Sequence, residues 1–347
     1  MSAPEDAEVL FEQRDALGLI TLNRPRALNA LTAGMCVAMD AQLVRWQDDD
    51  KVRAVVIRGA GERAFCAGGD IRMLYEAGRA GGCGATDFYR AEYRLNARIR
   101  HFPKPYISLL HGIVMGGGVG VSMHGSHRIA DASAVFAMPE TGIGLFPDVG
   151  GSYFLPRLPG QIGMYLALTG SRLRTADMLF AQVATHSVPA RYWDMLMDRL
   201  ADGEPPDAAL AGLPDDPGAP SLPEYLEAID RCFVHNSVEA VLAALDEDEN
   251  VWASLAATTI RMKSPTSLKI TFRQLREGKS LAFDDCMRME FRMVTHVMGG
   301  NDFYEGVRAT IIDKDNEPAW RPETLPEVSD ADVDAYFAPL GDGELKL

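Results

Sequence analysis

The sequence predicts an α/β fold followed by a helical carboxy-terminal region, on three observations. Over residues 1–200, short apolar β-branched runs alternate with longer runs of helical spacing. From 224 to 313, apolar side chains recur at helical spacing almost throughout. Between them, residues 201–223 are dense in proline and glycine, which break helices and strands alike. The expected organisation is a core over 1–200, a linker or exposed excursion over 201–223, and a helical region with an irregular tail over 224–347.

Taken in order, Leu19–Leu22 and Ala54–Arg58 read as buried strands. Thr32–Trp46 lies between them with apolar residues on one helical face, and the Thr32 hydroxyl suits an N-cap. Strand, helix, strand at this rhythm is the signature of βαβ units. Tyr106–Leu110 is the next buried strand. In the carboxy-terminal region Ser264-Pro265 marks a helix start, because proline at the first helical position gives up an N–H that has no partner there. Beyond Glu317, the prolines at 318, 322, 326 and 339 predict an irregular tail.

The 347 residues include 34 basic and 49 acidic side chains, a formal charge of −15. With 47% apolar and 24% charged residues there is ample material for a core, which excludes disorder as the main theme. No run approaches the roughly 18 apolar residues of a membrane span. The acidic balance excludes the basic footprint of a nucleic-acid binder. Met1–Glu8 has neither the basic nor the apolar region of a targeting segment, so a cytoplasmic protein is expected. Cys36, Cys66, Cys83, Cys232 and Cys286 are scattered and form no C-x-x-C, which fits reduced thiols.

Three stretches could carry chemistry: Ala64–Asp70 (AFCAGGD), His111–Gly120 (HGIVMGGGVG) and Phe136–Gly151 (FAMPETGIGLFPDVGG). Glycine lets a ligand oxygen approach a backbone N–H, and a glycine turn that opens a helix aims free N–H groups outward. Two such turns converging would make an oxyanion hole; the plain alternative is two tight turns. No G-x-G-x-x-G falls at 112–120, since position 121 is Val, and no phosphate loop or nucleophile elbow occurs. Glu140 and Asp148 are the only charged residues between Ala132 and Phe154. Acids in such surroundings have raised pKa values and serve as bases, acids or nucleophiles; a turn or helix cap is the structural alternative. His124 and His127 stand at i, i+3 and could share a helical face, but no ligand-spaced acid or cysteine accompanies them, so no metal is expected.

These stretches resemble the enoyl-CoA hydratase/isomerase (crotonase) superfamily over roughly residues 8–200, with a shorter echo at Asn301–Lys314. Within it, Phe65–Arg72, Met115–Gly120, Phe136–Thr141, Gly144–Gly151 and Ser264–Lys269 are most similar to the thioester-hydrolysing branch, which extends the likeness over most of the chain. The resemblance implies a spiral core of ββα turns and a CoA thioester whose carbonyl sits between the N–H groups of Gly69 and Gly117. It implies Glu140 and Asp148 as catalytic acids and Glu92 as a substrate-binding acid; without it, Glu92 reads as a solvated helix carboxylate. Arg26, Ala67, Asp70 and Lys269 become candidates for binding CoA. Arg24, Arg72, Lys263 and Arg273 join Arg26 and Lys269 as charges that could meet its phosphates. A trimer or hexamer is implied, and no cofactor beyond the substrate's own CoA.

One departure discriminates among members. Hydratases that use two glutamates carry the first after a Gly-Gly-Gly-x run; here that position is Gly120. The resemblance therefore implies hydrolysis of a short β-hydroxyacyl-CoA, 3-hydroxyisobutyryl-CoA foremost, the step found in valine degradation. An isomerase working through Glu140 alone, a hydratase, and a non-catalytic acyl-CoA-binding protein are the alternatives. Nucleophilic attack by Glu140 and general-base catalysis by Glu140 are both open.

Overall fold

The computed structural model describes residues 7–81 and 84–347. Residues 1–6, on which the cytoplasmic expectation partly rests, and Cys83 lie outside the described residues. The chain forms two compact units that interleave along the sequence. The first takes the residues up to Gly69, Arg94–Phe136 and Leu173–Pro220; the second takes Asp70–Tyr93, Ala137–Arg172 and Ser221–Leu347. The Pro/Gly-rich stretch therefore contains a unit boundary, at Pro220.

The first unit is built on two sheets. Strands β1 (Val9–Arg14), β2 (Leu17–Leu22), β3 (Ala54–Gly59), β5 (Tyr106–Leu110), β7 (His127–Ala130) and β10 (His186–Ser187) form one, in that order. Strands β4 (Ala64–Cys66), β6 (Ile113–Met115), β8 (Val135–Ala137) and β9 (Leu173–Arg174) form the other. From β3 to β8, each successive pair of strands sends its first member to the larger sheet and its second to the smaller. The larger-sheet pairs β2–β3, β3–β5 and β5–β7 are all parallel. That repetition is the expected spiral of ββα turns. The strands are buried because Val, Ile and Leu dominate them, as parallel strands covered on both faces require.

Helix α1 (Ala33–Asp48) connects β2 to β3 and starts as predicted, with the Met35 N–H donating to Thr32 Oγ1 at 3.2 Å. One face of the larger sheet presents Leu17, Leu19, Ala54, Val56, Ile107, Leu109 and Ile129 to the helix Trp193–Ala201. Ala209 and Leu210 join the same cluster from a short helix, Pro206–Leu210. This corrects the expectation for 201–223: Pro206 opens a helix instead of breaking one, and the stretches without regular structure are 202–205 and 211–221. The histidine pair also separates. His124 ends a helix and His127 opens β7, so they share no helical face, and His127 stacks on His186 instead.

The second unit is mainly helical. Ser264 caps the helix Pro265–Gly278, its Oγ accepting from the Ser267 N–H at 3.1 Å. The tail beyond Glu317 departs from expectation, since Asp330–Tyr336 is a helix. Ser329 and Asp332 close a capping box, with reciprocal bonds of 2.9 and 3.2 Å. The prolines around it obscured that signal. Among the described residues, no helix is long and apolar enough to cross a membrane, and no group of three His, Cys, Asp or Glu could hold a metal.

Candidate active site

In the first unit, β4 and β6 run parallel, pairing Ala64 with Ile113 and Cys66 with Val114. Their carboxyl ends therefore deliver the two glycine turns side by side. Gly68 (φ +118°) and Gly116 (φ +49°, ψ −125°) hold backbone angles closed to other residues. A Cβ on Gly68 would stand 3.7 Å from the Gly117 nitrogen. Gly117 opens helix α4 (Gly117–Met123), so its N–H has no intrahelical acceptor. The Gly69 N–H donates to no carbonyl among the described backbone bonds. At Gly118, a Cβ would lie 2.3 Å from the Cys66 carbonyl oxygen, and only glycine allows α4 to start so close to β4. The Gly117 amide thus stands beside the Gly68–Gly69 turn, and neither the Gly69 nor the Gly117 N–H has a carbonyl partner among the described backbone bonds.

In the second unit, four carboxyl groups among the described residues are less than 5% exposed: Glu92 (2%), Glu140 (4%), Asp148 (3%) and Glu290 (0%). Glu140 opens a short 3-10 turn, Glu140–Ile143, after Pro139. Asp148 sits on a strained turn, because Val149 (φ +51°) is a β-branched residue in the left-handed region. Glu92 and Tyr93 are adjacent on helix α3 (Gly84–Arg100), and the Tyr93 hydroxyl donates to Asp148 Oδ2 at 2.7 Å. Glu92 Oε1 and Glu140 Oε2 are buried without a hydrogen-bond partner among the described residues.

Burial dominates the electrostatics of this cluster. It raises Asp148 to about 7, partly offset by the Tyr93 hydrogen bond. It raises Glu140 well above the carboxylate range, the Asp148 charge adding to it and Lys263 opposing. Glu92 is raised likewise, by burial and then by Asp148 and Glu140. Burial lifts Glu290 to about 8 against the hydrogen bonds it accepts. These acids keep protons in the folded state that the unfolded chain gives up near pH 4. The folded state then binds more protons, so stability falls as pH rises and the loss is complete only above the folded pKa values. His111 and His186, lowered by burial, act in the opposite sense but only where an unfolded histidine is protonated. Between roughly pH 6.5 and 8.5 the acids therefore govern. The denaturation midpoint should fall across that window, and Asp148→Asn should flatten the fall. A midpoint that stays level or rises with pH would count against these protonation states.

The CoA candidates are scattered. Arg26 is exposed on a 3-10 turn, Pro25–Ala27. The Ala67 N–H is engaged with the Leu28 carbonyl at 3.0 Å. Asp70 caps helix α2 (Ile71–Arg79), accepting from the Met73 N–H at 3.3 Å. Lys269 is held by Glu239 at 2.9 Å and by the Val328 carbonyl at 2.8 Å. Arg24 pairs with Glu8, and Arg273 with Glu277 and Asp334. Arg72 donates to the Ile311 carbonyl at 3.3 Å. Lys269 and Arg273 do come together, lining one groove of about 390 Å³. Lys263 stands instead beside the Glu140 turn, its Nζ 3.2 Å from where a Gly142 Cβ would lie.

Sequence reasoning missed the groups that hold the Asp148 turn. Glu290 accepts from the Gly150 N–H at 2.8 Å, from the Ser152 N–H at 2.9 Å and from the Ser152 hydroxyl. Gln274 donates to the Pro147 carbonyl at 2.6 Å and to Ser152 Oγ at 3.0 Å. A signal for Glu290 exists. It stands on the buried face of the helix Phe283–Val297, in line with Cys286, Met287, Val294 and Val297, where an acid breaks an apolar stripe.

These features define an α/β protein of repeated ββα turns that pairs two free glycine amides, joined to a helical unit carrying buried acids. Residues 17–337 match the family model described as enoyl-CoA hydratase/isomerase, and the chain belongs to that family. It is similar to the mitochondrial 3-hydroxyisobutyryl-CoA hydrolases of Danio rerio, 48% identical over 100% of this chain and 94% of that protein, and of Bos taurus, 49% identical over 98% and 91%. Among solved structures, a carnitinyl-CoA dehydratase from Mycobacterium thermoresistibile matches with a TM-score of 0.93 at 43% identity, over 98% of this chain and 99% of that one. The relatives' names place those proteins in mitochondria and lend no support to the cytoplasmic expectation.

Proposed function

We propose that this protein hydrolyses a short β-hydroxyacyl-CoA thioester, 3-hydroxyisobutyryl-CoA foremost, to the free acid and CoA. The observation that carries the reading is the pairing of Glu140 with Asp148 in one buried cluster, while Gly120 stands where a two-glutamate hydratase needs its other acid. Full-length relatives named as this hydrolase support it.

In the proposed reaction the Gly69 and Gly117 amides polarise the thioester carbonyl. Each such donor is worth about 3 kcal/mol in the transition state. Glu140, in the fraction that has given up the proton burial holds on it, attacks the carbonyl carbon, or takes a proton from a water that does so. The C–S bond then breaks and CoA leaves as the thiol; on the nucleophilic route the acyl group stays on Glu140 as a mixed anhydride until water hydrolyses it, releasing the free acid and restoring the carboxyl. Asp148, raised to about 7, is part protonated near neutrality and suits proton delivery to the departing sulfur. The unpartnered Glu92 Oε1 suits a bond to the β-hydroxyl. The reaction needs no cofactor besides the CoA already in the substrate. A trimeric or hexameric assembly and a cytoplasmic location belong to the same proposal; sedimentation and cell fractionation test them.

The deciding experiment follows thiol release from 3-hydroxyisobutyryl-CoA alongside the absorbance of an enoyl-CoA. Thiol release without loss of the enoyl signal is expected. Asp148→Asn should slow release about 100-fold, within the range for a general acid. Enoyl hydration outpacing thiol release would replace the hydrolase with the dehydratase or hydratase chemistry that the solved neighbour's name suggests.

A further inference from the structure

The first unit carries a second groove, of about 680 Å³, that the proposed reaction does not use. It lies at the carboxyl ends of β2, β3, β5 and β7, where open parallel sheets bind ligands. On one sheet face each of these strands contributes core residues, ending with Leu19, Val56, Leu109 and Ile129. Two residues further along, on the same face, each chain turns polar: Thr21, Arg58, His111 and Asp131. Register pairs Thr21 with Arg58, Arg58 with Leu109 and Leu109 with Ile129, so His111 and Asp131 stand two residues beyond the level of Thr21 and Arg58, on the same face. Trp193, the first residue of the helix beneath, closes the groove with its ring against His111.

The row carries charge at Arg58 and at Asp131, with an unsatisfied acceptor on His111 between them. Arg58 Nε reaches Thr21 Oγ1 at 3.3 Å, and its terminal nitrogens have no hydrogen-bond partner among the described residues. His111 is 7% exposed. Its Nε2 lies 2.9 Å from the Gly61 carbonyl, which only accepts, so Nε2 carries the proton. Burial pushes the ring below the usual histidine value and keeps it neutral. That leaves Nδ1 as an acceptor, buried and without a partner. Asp131 is fixed as an acceptor by the Ser133 and Ala190 N–H groups, at 2.8 and 3.1 Å.

We propose that this groove is a binding site for a small zwitterion of the α-amino-acid class, its carboxylate on Arg58 and its ammonium on Asp131 and His111 Nδ1. A simple anion would satisfy Arg58 but face the Asp131 carboxylate. A simple cation would face Arg58. Arg58 and Asp131 stand two strands apart and two residues offset along them, roughly 12 Å at the backbone. The Arg58 side chain and a molecule with its two charges a few bonds apart span that gap. Trp193 offers an apolar wall to a side chain.

The test is calorimetry and imidazole NMR on the full chain, with glycine, valine and phenylalanine as probes and acetate and ethylamine as single-charge controls. At least one amino acid should bind and shift the His111 ring signals, with both controls at least tenfold weaker. Arg58→Gln should weaken that binding about tenfold or more, the loss of one charge-assisted hydrogen bond, while thiol release stays at the wild-type rate. Asp131→Asn should do the same, and the NMR readout on the wild type stands even if that variant folds poorly. No amino-acid binding at millimolar concentration, equal binding of a control, or an Arg58→Gln protein that binds as well as wild type would each overturn the assignment.

Discussion

Glu140→Gln should lower kcat for thioester hydrolysis by about 10³–10⁴-fold, at the upper end of what one positioned acid–base group contributes. Glutamine keeps the volume and most of the packing of a side chain that is 4% exposed, so fold and substrate binding should survive. What it removes is the carboxylate that attacks the carbonyl or deprotonates water. KM should change little, because the loss falls on the transition state. Oxygen labelling of the wild-type protein separates the two roles. If the wild-type carboxylate is the nucleophile and water opens the anhydride at the Glu140 carbonyl, single turnover in heavy-oxygen water places label first in Glu140 and not in the released acid. If it is a base, label enters the product directly. A Glu140→Gln protein with near wild-type kcat would remove Glu140 from the reaction.

Glu290→Ala should cost about 3 kcal/mol of stability, read from the urea midpoint at constant m. It strands the buried N–H groups of Gly150 and Ser152 and the Ser152 hydroxyl, all of which now donate to one carboxylate. Glu290→Gln should cost less but still some, because its amide NH₂ must face a donor where an acceptor is needed. Both changes loosen the turn that carries Asp148. Glu290 is therefore a positioning residue, and kcat should fall about tenfold or more with KM nearly constant, as small misplacements of catalytic groups do. The pH profile should change as well, since the Asp148 charge raises Glu290 and the linked titration is lost with it, whereas replacing a purely structural brace would leave the profile in place. A stability change within about 0.5 kcal/mol, the usual range for uninvolved sites, would show that the turn holds without it.

Local signals were read correctly where local physics decides. Thr32 and Ser264 cap helices because a side-chain oxygen three residues from an orphan N–H needs nothing distant. Tyr106–Leu110 is a strand because four of its five residues are apolar and all five are buried, as a strand covered on both faces requires. The isolation of Glu140 and Asp148 was visible because the segment around them holds no other charge. Proline misled twice, at Pro206 and around Asp330–Tyr336, since it stops a helix interior but favours a helix start. Glu92 misled in another way. On sequence spacing it is an ordinary helical carboxylate, and its 2% exposure comes from what packs over it.

By itself, then, the sequence determined the strand–helix rhythm, the caps, the glycine turns and the two lone acids. Each follows from residues close together in the chain. Tertiary structure decided that Gly68 and Gly117 stand side by side, because β4 and β6 pair across about fifty residues of sequence, a separation no local pattern encodes. It decided that Glu92, Tyr93 and Glu290 surround Asp148, and so that these acids hold their protons near neutral pH. A carboxyl's pKa is set by the dielectric and the charges around it, and those come from residues brought from far along the chain.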